Sequence, residues 1–435
     1  MKGLLEKYPN EGIPKPDRRP AMRARSSIDG MPEEEAFVGD WRTNLILTEK
    51  KSPKALLANA LTAFRQAPEW LGILSFDAFH QRTMLRGNAP WMTDSVNETW
   101  TSGHDVLAAD WLQHQGISVS PDIAGRAIEA VAREGRFHPV LDYLARCRWD
   151  GEPRLDTWAV DYLGAVDTPY VRAVSARWII GAVARVNRPG CKADCALILE
   201  GKQGLGKSSA LKALAHPWFT DEVADLGTKD AAMQLAGVWV LELAELDSMA
   251  RGDVSRIKAF MSRTTDRYRP PYERRIVEQP RQCVFAGTVN HNEYLRDETG
   301  GRRFWPIACT HVEVGGLTAV RDQLWAEARD RYQADETWWL DNGTLNAAAT
   351  IEQRQRYQPD AWSKPIESHI ANLASISVGE ILAEVLHLAV GEWSQIDMNR
   401  VSRCLRSLGW ERRQMRVGRE REWRYLPPSP VSLDR

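Results

Sequence analysis

The sequence predicts an α/β chain built on a parallel sheet, with a helical domain before it and a helix, helix, hairpin domain after it. Three observations point there. Short continuous apolar runs, Ala196-Leu197-Ile198-Leu199, Val238-Trp239-Val240-Leu241 and Cys283-Val284-Phe285-Ala286, are separated by helix-length segments, as expected of parallel strands buried on both faces. A complete G-x-x-x-x-G-K-S loop follows the first run. On either side of this region apolar residues recur at helical rather than alternating spacing.

Residues 1–35 read as a disordered lead outside the fold, because Pro9, Pro14, Pro16 and Pro20 interrupt a polar, Arg-rich stretch with no apolar period. The mostly helical N-terminal domain is placed at 36–150. Its first helix is expected from Ser52-Pro53, Ser as N-cap and Pro at the first helical position, with Leu56, Leu57, Ala60, Leu61 and Phe64 along one face until Pro68. Two more are expected at Asp105–Gln115 and Pro121–Glu134. The next domain, 151–345, opens with a helical lead-in, 151–190, carrying Tyr170, Val174, Trp178, Ile179 and Val183 on one face. The three strands follow, with a helix from Ser208 to Ala215 after the glycine loop. The last domain, 370–435, reads as a helix Ser377–Leu388, a helix Met398–Leu408 and a hairpin Glu411–Tyr425 turning at Val417-Gly418. Helix, helix, basic hairpin is the layout of a winged helix.

The 435 residues hold 57 Lys+Arg against 58 Asp+Glu. That balance excludes a uniformly basic nucleic-acid coat and an acidic tail, but not local patches. No apolar run approaches the roughly 18 residues of a membrane span, and the N-terminus lacks a secretory apolar segment, so a cytoplasmic location is expected. The six cysteines are scattered except for Cys191 and Cys195; with no second Cys/His pair at matching spacing, neither a disulfide framework nor a zinc site is expected. The 18 tryptophans are spread along the chain, which favours packing over a single stacking site.

The chemistry concentrates in four places. Gly201-Lys202-Gln203-Gly204-Leu205-Gly206-Lys207-Ser208-Ser209 is a phosphate loop. Its glycines let backbone N–H groups turn toward phosphates, Lys207 sets a cation between the β and γ groups, and Ser208 offers a hydroxyl to Mg²⁺. ATP and Mg²⁺ are the expected ligands. The second apolar run leads into Glu242-Leu243-Ala244-Glu245-Leu246-Asp247, which puts Glu242 near the Mg²⁺ and leaves Glu245 or Asp247 to polarise the attacking water. The third ends at Asn290, positioned to hold that water or sense the γ-phosphate; a turn-forming Asn is the alternative. Arg302 and Arg303 are adjacent, so in an extended chain one reaches outward, where in a ring it would meet the γ-phosphate held by a neighbour.

With these pieces in place, residues from about 140 to 310 resemble the virulence-associated protein E family of phages, prophages and pathogenicity islands, related to superfamily 3 helicases and poxvirus-type primase-helicases. The resemblance rests on Trp149-Asp150-Gly151, Pro189-Gly190-Cys191-Lys192-x-Asp194, the phosphate loop, Glu242 to Asp247, Arg269-Pro270-Pro271-Tyr272, Gly287-Thr288-Val289-Asn290 and Asp297 to Phe304. It implies an AAA+-like P-loop ATPase, a homo-hexameric ring, phage or prophage encoded in a bacterial cell and acting in replication of a mobile element. Many relatives carry an N-terminal primase; the first 140 residues here hold no acidic catalytic constellation of that kind, so a primase would be a separate chain.

DNA is the expected partner, at two places. Arg251 to Arg275 holds eight basic residues against three acidic ones, and in superfamily 3 motors this interval supplies the loop lining the ring channel, where cations track single-stranded backbone. Lys258, Arg263, Arg267, Arg274 and Arg275 are the candidates. The second is the C-terminal domain, with Arg400, Arg403 and Arg406 on a helix suited to a duplex groove. The function expected is an ATP-dependent DNA helicase or translocase; the alternative is an ATP-switched, origin-binding initiator or a regulatory DNA-binding protein, neither of which unwinds.

Overall fold

The computed structural model describes residues 40–93, 97–222, 228–243, 251–269, 275–290, 294, 301–356, 360–417 and 420–428. The expected lead, 1–35, lies outside the described residues, as do Glu245, Asp247, Arg274, Gly418 and the stretch from Asp297 to Gly300.

The first helix, α1 (Leu57–Gln66), starts later than Ser52-Pro53 suggests. Pro53 instead pairs with Leu47 in an isolated bridge, and fully buried Asn59 explains why. Its Oδ1 accepts from the Ile46 N–H at 2.8 Å, and its Nδ2 donates to the Ile46 and Lys54 carbonyls, both at 2.9 Å. The segment before the helix is thereby held as a folded-back loop, with a turn at Thr48–Ser52, where Thr48 N–H donates to the Ser52 carbonyl at 2.8 Å. The strands β1 (Leu74–Asp77), β2 (Arg82–Leu85) and β3 (Glu98–Thr99) follow, then α2 (Ser102–His114), α3 (Pro121–Ala132), β4 (Arg136–Phe137) and α4 (Pro139–Arg146). The four strands form a sheet in the order β3-β2-β1-β4, which a mostly helical reading lacks. Strands of two to four residues are too short to display a period of two. Trp70 and Trp111 pack on Phe64 in this core and Trp41 stacks on Trp111, with Phe64 and Trp70 edge to face at 4.8 Å.

The lead-in helices are α5 (Trp158–Leu163) and α6 (Pro169–Asn187). Then come β5 (Ala196–Glu200), α7 (Lys207–Ala215), β6 (Phe219–Thr220), α8 (Lys229–Gln234), β7 (Val240–Leu243), α9 (Arg251–Met261), β8 (Thr265–Tyr268), β9 (Val277–Pro280), β10 (Val284–Val289), β11 (Phe304–Ala308), α10 (Val314–Gln333) and α11 (Gly343–Gln355). Five strands form one parallel sheet in the order β11-β5-β10-β7-β6. Its two faces feed two cores. Leu197 and Leu199 of β5 pack with α6, α7 and α10, while Ala196 and Ile198 pack with Ile257, Phe260 and Met261 of α9. Every β5 residue is therefore buried, and the run is continuously apolar rather than alternating. β8 and β9 form a separate antiparallel ribbon.

The N-terminal unit docks where the chain approaches β7. Gly237 N–H donates to the Phe79 carbonyl at 3.0 Å, and a Cβ there would fall 2.1 Å from the His80 ring, at a φ of +80°. Only glycine fits.

The C-terminal unit has its own core of Ile366, Ile370, Ile381, Val401, Leu405 and Tyr425. It contains α12 (Ser363–Ile370), α13 (Val378–Glu380), which runs into a π-helical Ile381–Val385, α14 (Gln395–Ser407), β12 (Glu411–Val417) and β13 (Glu420–Leu426). Ile376 and Tyr425 exchange backbone hydrogen bonds at 2.9 and 2.7 Å, adding an edge to the hairpin. Among the described residues no helix is long and apolar enough to cross a membrane.

Candidate phosphate-binding site

The loop between β5 and α7 needs its glycines for two different reasons. Gly201 has φ +150°, and a Cβ on it would lie 2.8 Å from the Cys309 carbonyl and 3.0 Å from Leu205 Cδ2. Gly206, at φ +95°, is the N-cap of α7 and offers no side chain to the first turn. The first-turn N–H groups of a nine-residue helix thus face the loop without a side-chain cap, where the helix dipole favours an anion. The base of the loop is pinned on both sides: Gly201 N–H donates to Val289 O at 3.2 Å, and Cys309 N–H to Glu200 O at 2.8 Å. Burial pushes the Cys309 thiol up to about 12, so no thiolate competes with an anion beneath the loop.

Lys207, Ser208, Glu242 and Asn290 come together at the carboxyl ends of β5, β7 and β10, the edge at which open parallel sheets bind ligands. Lys207, 6% exposed, folds its ammonium back to donate to the Gly201 carbonyl at 2.6 Å, the Lys202 carbonyl at 2.9 Å and Asn290 Oδ1 at 3.3 Å. Ser208 Oγ donates to Glu242 Oε1 at 2.7 Å. Glu242 is 2% exposed, and its other oxygen, Oε2, is buried with no hydrogen-bond partner among the described residues. Lys202, Gln203 and Gly204 form the exposed lip, and Ser208 and Ser209 are exposed at the start of α7.

Two contributors escape a sequence reading. Thr288 donates from Oγ1 to the same Glu242 Oε1 at 2.6 Å. Its signal is a hydroxyl two residues before Asn290 in an otherwise apolar strand, hence on the same face. Arg356 grips Glu200, the last residue before the loop, with Nε–H to Oε1 at 2.6 Å and Nη2–H to Oε2 at 2.8 Å. Nothing in the local sequence joins positions so far apart.

Arg302 and Arg303 lie elsewhere. They precede β11, whose Phe304 pairs with Ala196 at the start of β5, so they sit at the amino end of the sheet, one strand length, roughly 16 Å, from the phosphate loop. Arg303 is engaged by Asp194, Nε to Oδ2 at 3.2 Å. Arg302 is exposed.

The basic candidates divide as well. Lys258 is a correction: it is 7% exposed, with its ammonium 5.6 Å over the Phe304 ring, so it belongs to the interior and not to a channel surface. Arg267 pairs with Glu278 across the β8–β9 ribbon at 2.7 Å; Arg263 lies over Phe260 at 5.7 Å, and Arg263 and Arg275 are exposed. Arg400 is partly exposed and already engaged. It is clamped by Asp360 at 2.7 Å and stacked 3.8 Å over Trp362, fastening α14 to the segment before α12. Arg403 is half-buried and Arg406 exposed.

A family model described as the virulence-associated protein E-like domain matches residues 144–358. No curated protein matches the chain. Among solved structures, the chain is similar to the apo structure of the NrS-1 C terminal region (305–718), at 14% identity and a TM-score of 0.40, covering 82% of this chain and 96% of that one. It is likewise similar to the A form apo structure of that region, at 15% identity and a TM-score of 0.40 with the same coverage.

Proposed function

We propose, on the premise that residues 144–358 belong to the virulence-associated protein E family, that the chain is an ATP-hydrolysing DNA motor of superfamily 3 type serving replication of a phage or other mobile element. The observation that carries this reading is the state of Glu242. One carboxylate oxygen accepts two hydroxyl hydrogen bonds, and the other is buried with no partner among the described residues. A buried unpartnered carboxylate oxygen is costly, and beside a glycine-lined phosphate loop it fits a divalent cation. Ser208 and Glu242 would hold Mg²⁺, and Gly201 to Ser209 would cradle ATP.

When bound, ATP supplies the phosphoanhydride to be cleaved and Mg²⁺ offsets the charge on its oxygens. Lys207 would exchange its two loop carbonyls for phosphate oxygens, so the ammonium is already at the site before ligand arrives. Asn290, 3.3 Å from that ammonium, would hold the γ-phosphate end and orient water, and Glu245 is proposed as the water's base. Arg302 is the better finger of the two arginines, because Arg303 is already paired with Asp194. Its distance from its own loop favours action in trans: a head-to-tail neighbour would bring the amino end of one sheet against the carboxyl end of the next, and a closed homo-hexamer is the proposed ring.

Single-stranded DNA would run along Arg263, Arg267, Arg274 and Arg275 of the ribbon region. Duplex would meet α14 and the β12–β13 hairpin, read as a winged helix, through Arg403, Arg406 and the exposed Arg412, Arg413 and Arg416. The test is ATP turnover and strand displacement on a forked duplex. Lys207→Ala is expected to lower turnover by about a hundredfold or more, and wild-type turnover in that variant would sink the assignment. Turnover without displacement would reject a helicase and leave a switch.

A further inference from the structure

At the amino end of the central sheet, away from the phosphate loop, α6, the starts of β5, β10 and β11 and the α10–α11 connection enclose a cavity of about 640 Å³. That is within the range of small-molecule sites, roughly 300–1,000 Å³. Its aromatic wall is fixed. Trp178 donates its indole N–H to the Phe285 carbonyl at 2.7 Å, and Trp338 donates to the Lys192 carbonyl at 2.8 Å. Trp339 stands edge-on to Trp338 at 5.1 Å and is 50% exposed. The exposure does not come from a loose backbone: Arg177 donates to the Trp339 carbonyl and pairs with Asp341 at 3.0 Å. A rigidly held indole face left to water is a feature of a surface that something covers.

The charges in this wall separate into two kinds. Arg177 and Arg303 are paired with Asp341 and Asp194. Arg188 and Lys192 are exposed and have no carboxylate partner among the described residues; the Arg188 guanidinium lies 5.7 Å from the Trp338 ring. An aliphatic anion would neutralise these cations but leave Trp339 uncovered. A neutral ring would do the reverse. A nucleotide satisfies both, because its base has a π-face for the indole and its phosphate takes the cations.

We propose that this cavity is a second binding site, for one nucleotide unit, with the base stacked on Trp339 and the phosphate held by Arg188 and Lys192. The unit comes either from a free nucleotide or from a single strand threading past the amino end of the sheet. Arg302, also in the wall, is not needed for this site.

The experiment uses the full chain carrying Lys207→Ala, which disables the phosphate loop, titrated by calorimetry with thymidine monophosphate and with a short oligothymidylate. Binding of at least one probe is expected, weakened about tenfold or more by adding Trp339→Ala. A paired Arg188→Gln and Lys192→Gln change should also weaken it and flatten its salt dependence. Tight binding of the monophosphate assigns the site to free nucleotide; preference for the oligomer assigns it to a strand. Absence of binding by both probes, or binding that neither set of changes alters, overturns the proposal. Because the titrated protein already lacks Lys207, failure here leaves the ATPase test untouched.

Discussion

At the scale of single residues, the candidate site turns on Glu242 and on the two hydroxyl groups that hold it. Ser208 and Thr288 both donate to one Glu242 oxygen, at 2.7 and 2.6 Å. If Ser208 turns to a bound cation, Thr288 alone keeps the carboxylate aimed. Partners that orient a metal-holding group are typically worth about ten- to a hundredfold in affinity or activity. Thr288→Val, which conserves shape and removes the hydroxyl, is therefore expected to lower kcat about tenfold and to raise the Mg²⁺ concentration at half-maximal rate, with Thr288→Ser restoring both. A magnesium titration of ATPase rate checks it; an unchanged magnesium dependence would remove Thr288 from the site. Lys207, Ser208, Glu242 and Asn290 were legible because a continuous loop and the ends of apolar runs announce them. Thr288 was visible only as part of the Gly287-Thr288-Val289-Asn290 string, since a hydroxyl in a strand has no pattern of its own. Lys258 misled because charge in a sequence says nothing about whether a long side chain lies along the surface or across a buried ring.

At the scale of elements, β5, α7, β7 and β10 could be read from the sequence because each apolar run is bounded by glycine or charge and serves two cores at once. The N-terminal sheet could not, since its pairing joins residues as distant as Phe76 and Arg136. The same distance hides the tie between α11 and the phosphate loop. Arg356 is 8% and Glu200 1% exposed, and their two hydrogen bonds hold the end of α11 to the last residue before Gly201. Burial works against the Arg356 charge, yet the Glu200 carboxylate outweighs it and raises the guanidinium above its ordinary value. Breaking such a pair by removing one partner leaves a buried charge and costs about 3–5 kcal/mol, whereas replacing both partners by apolar groups is often neutral. Arg356→Leu is expected to destabilise by that amount in urea unfolding, and Glu200→Leu added to it should recover most of the loss. A second change that only deepens the loss would mean that the cost comes from Glu352, which also pairs with Arg356, and not from a stranded Glu200.

At the scale of the molecule, the near balance of charge conceals a division by position. Of the basic residues of α9 and the ribbon, Lys258 is taken up inside the fold, over Phe304, while Arg267 stays exposed and is shared with the exposed Glu278, so the surface left for DNA is smaller than the sequence count. The sheet imposes a second division, the phosphate loop at its carboxyl end and Arg302 at its amino end. Under the proposed function, with Arg302 as the finger, a chain built this way would take that cation from a neighbour. That makes assembly testable without a structure of the ring. Lys207→Ala protomers carry an intact Arg302, and Arg302→Ala protomers carry an intact loop; each alone is expected to be inactive in ATP hydrolysis. In a random equimolar mixture about one interface in four joins an intact loop to an intact finger, so activity should reappear on mixing and rise with time as subunits exchange. A chain that used Arg302 in cis would give no recovery at any ratio, since every protomer in the mixture would remain defective by itself.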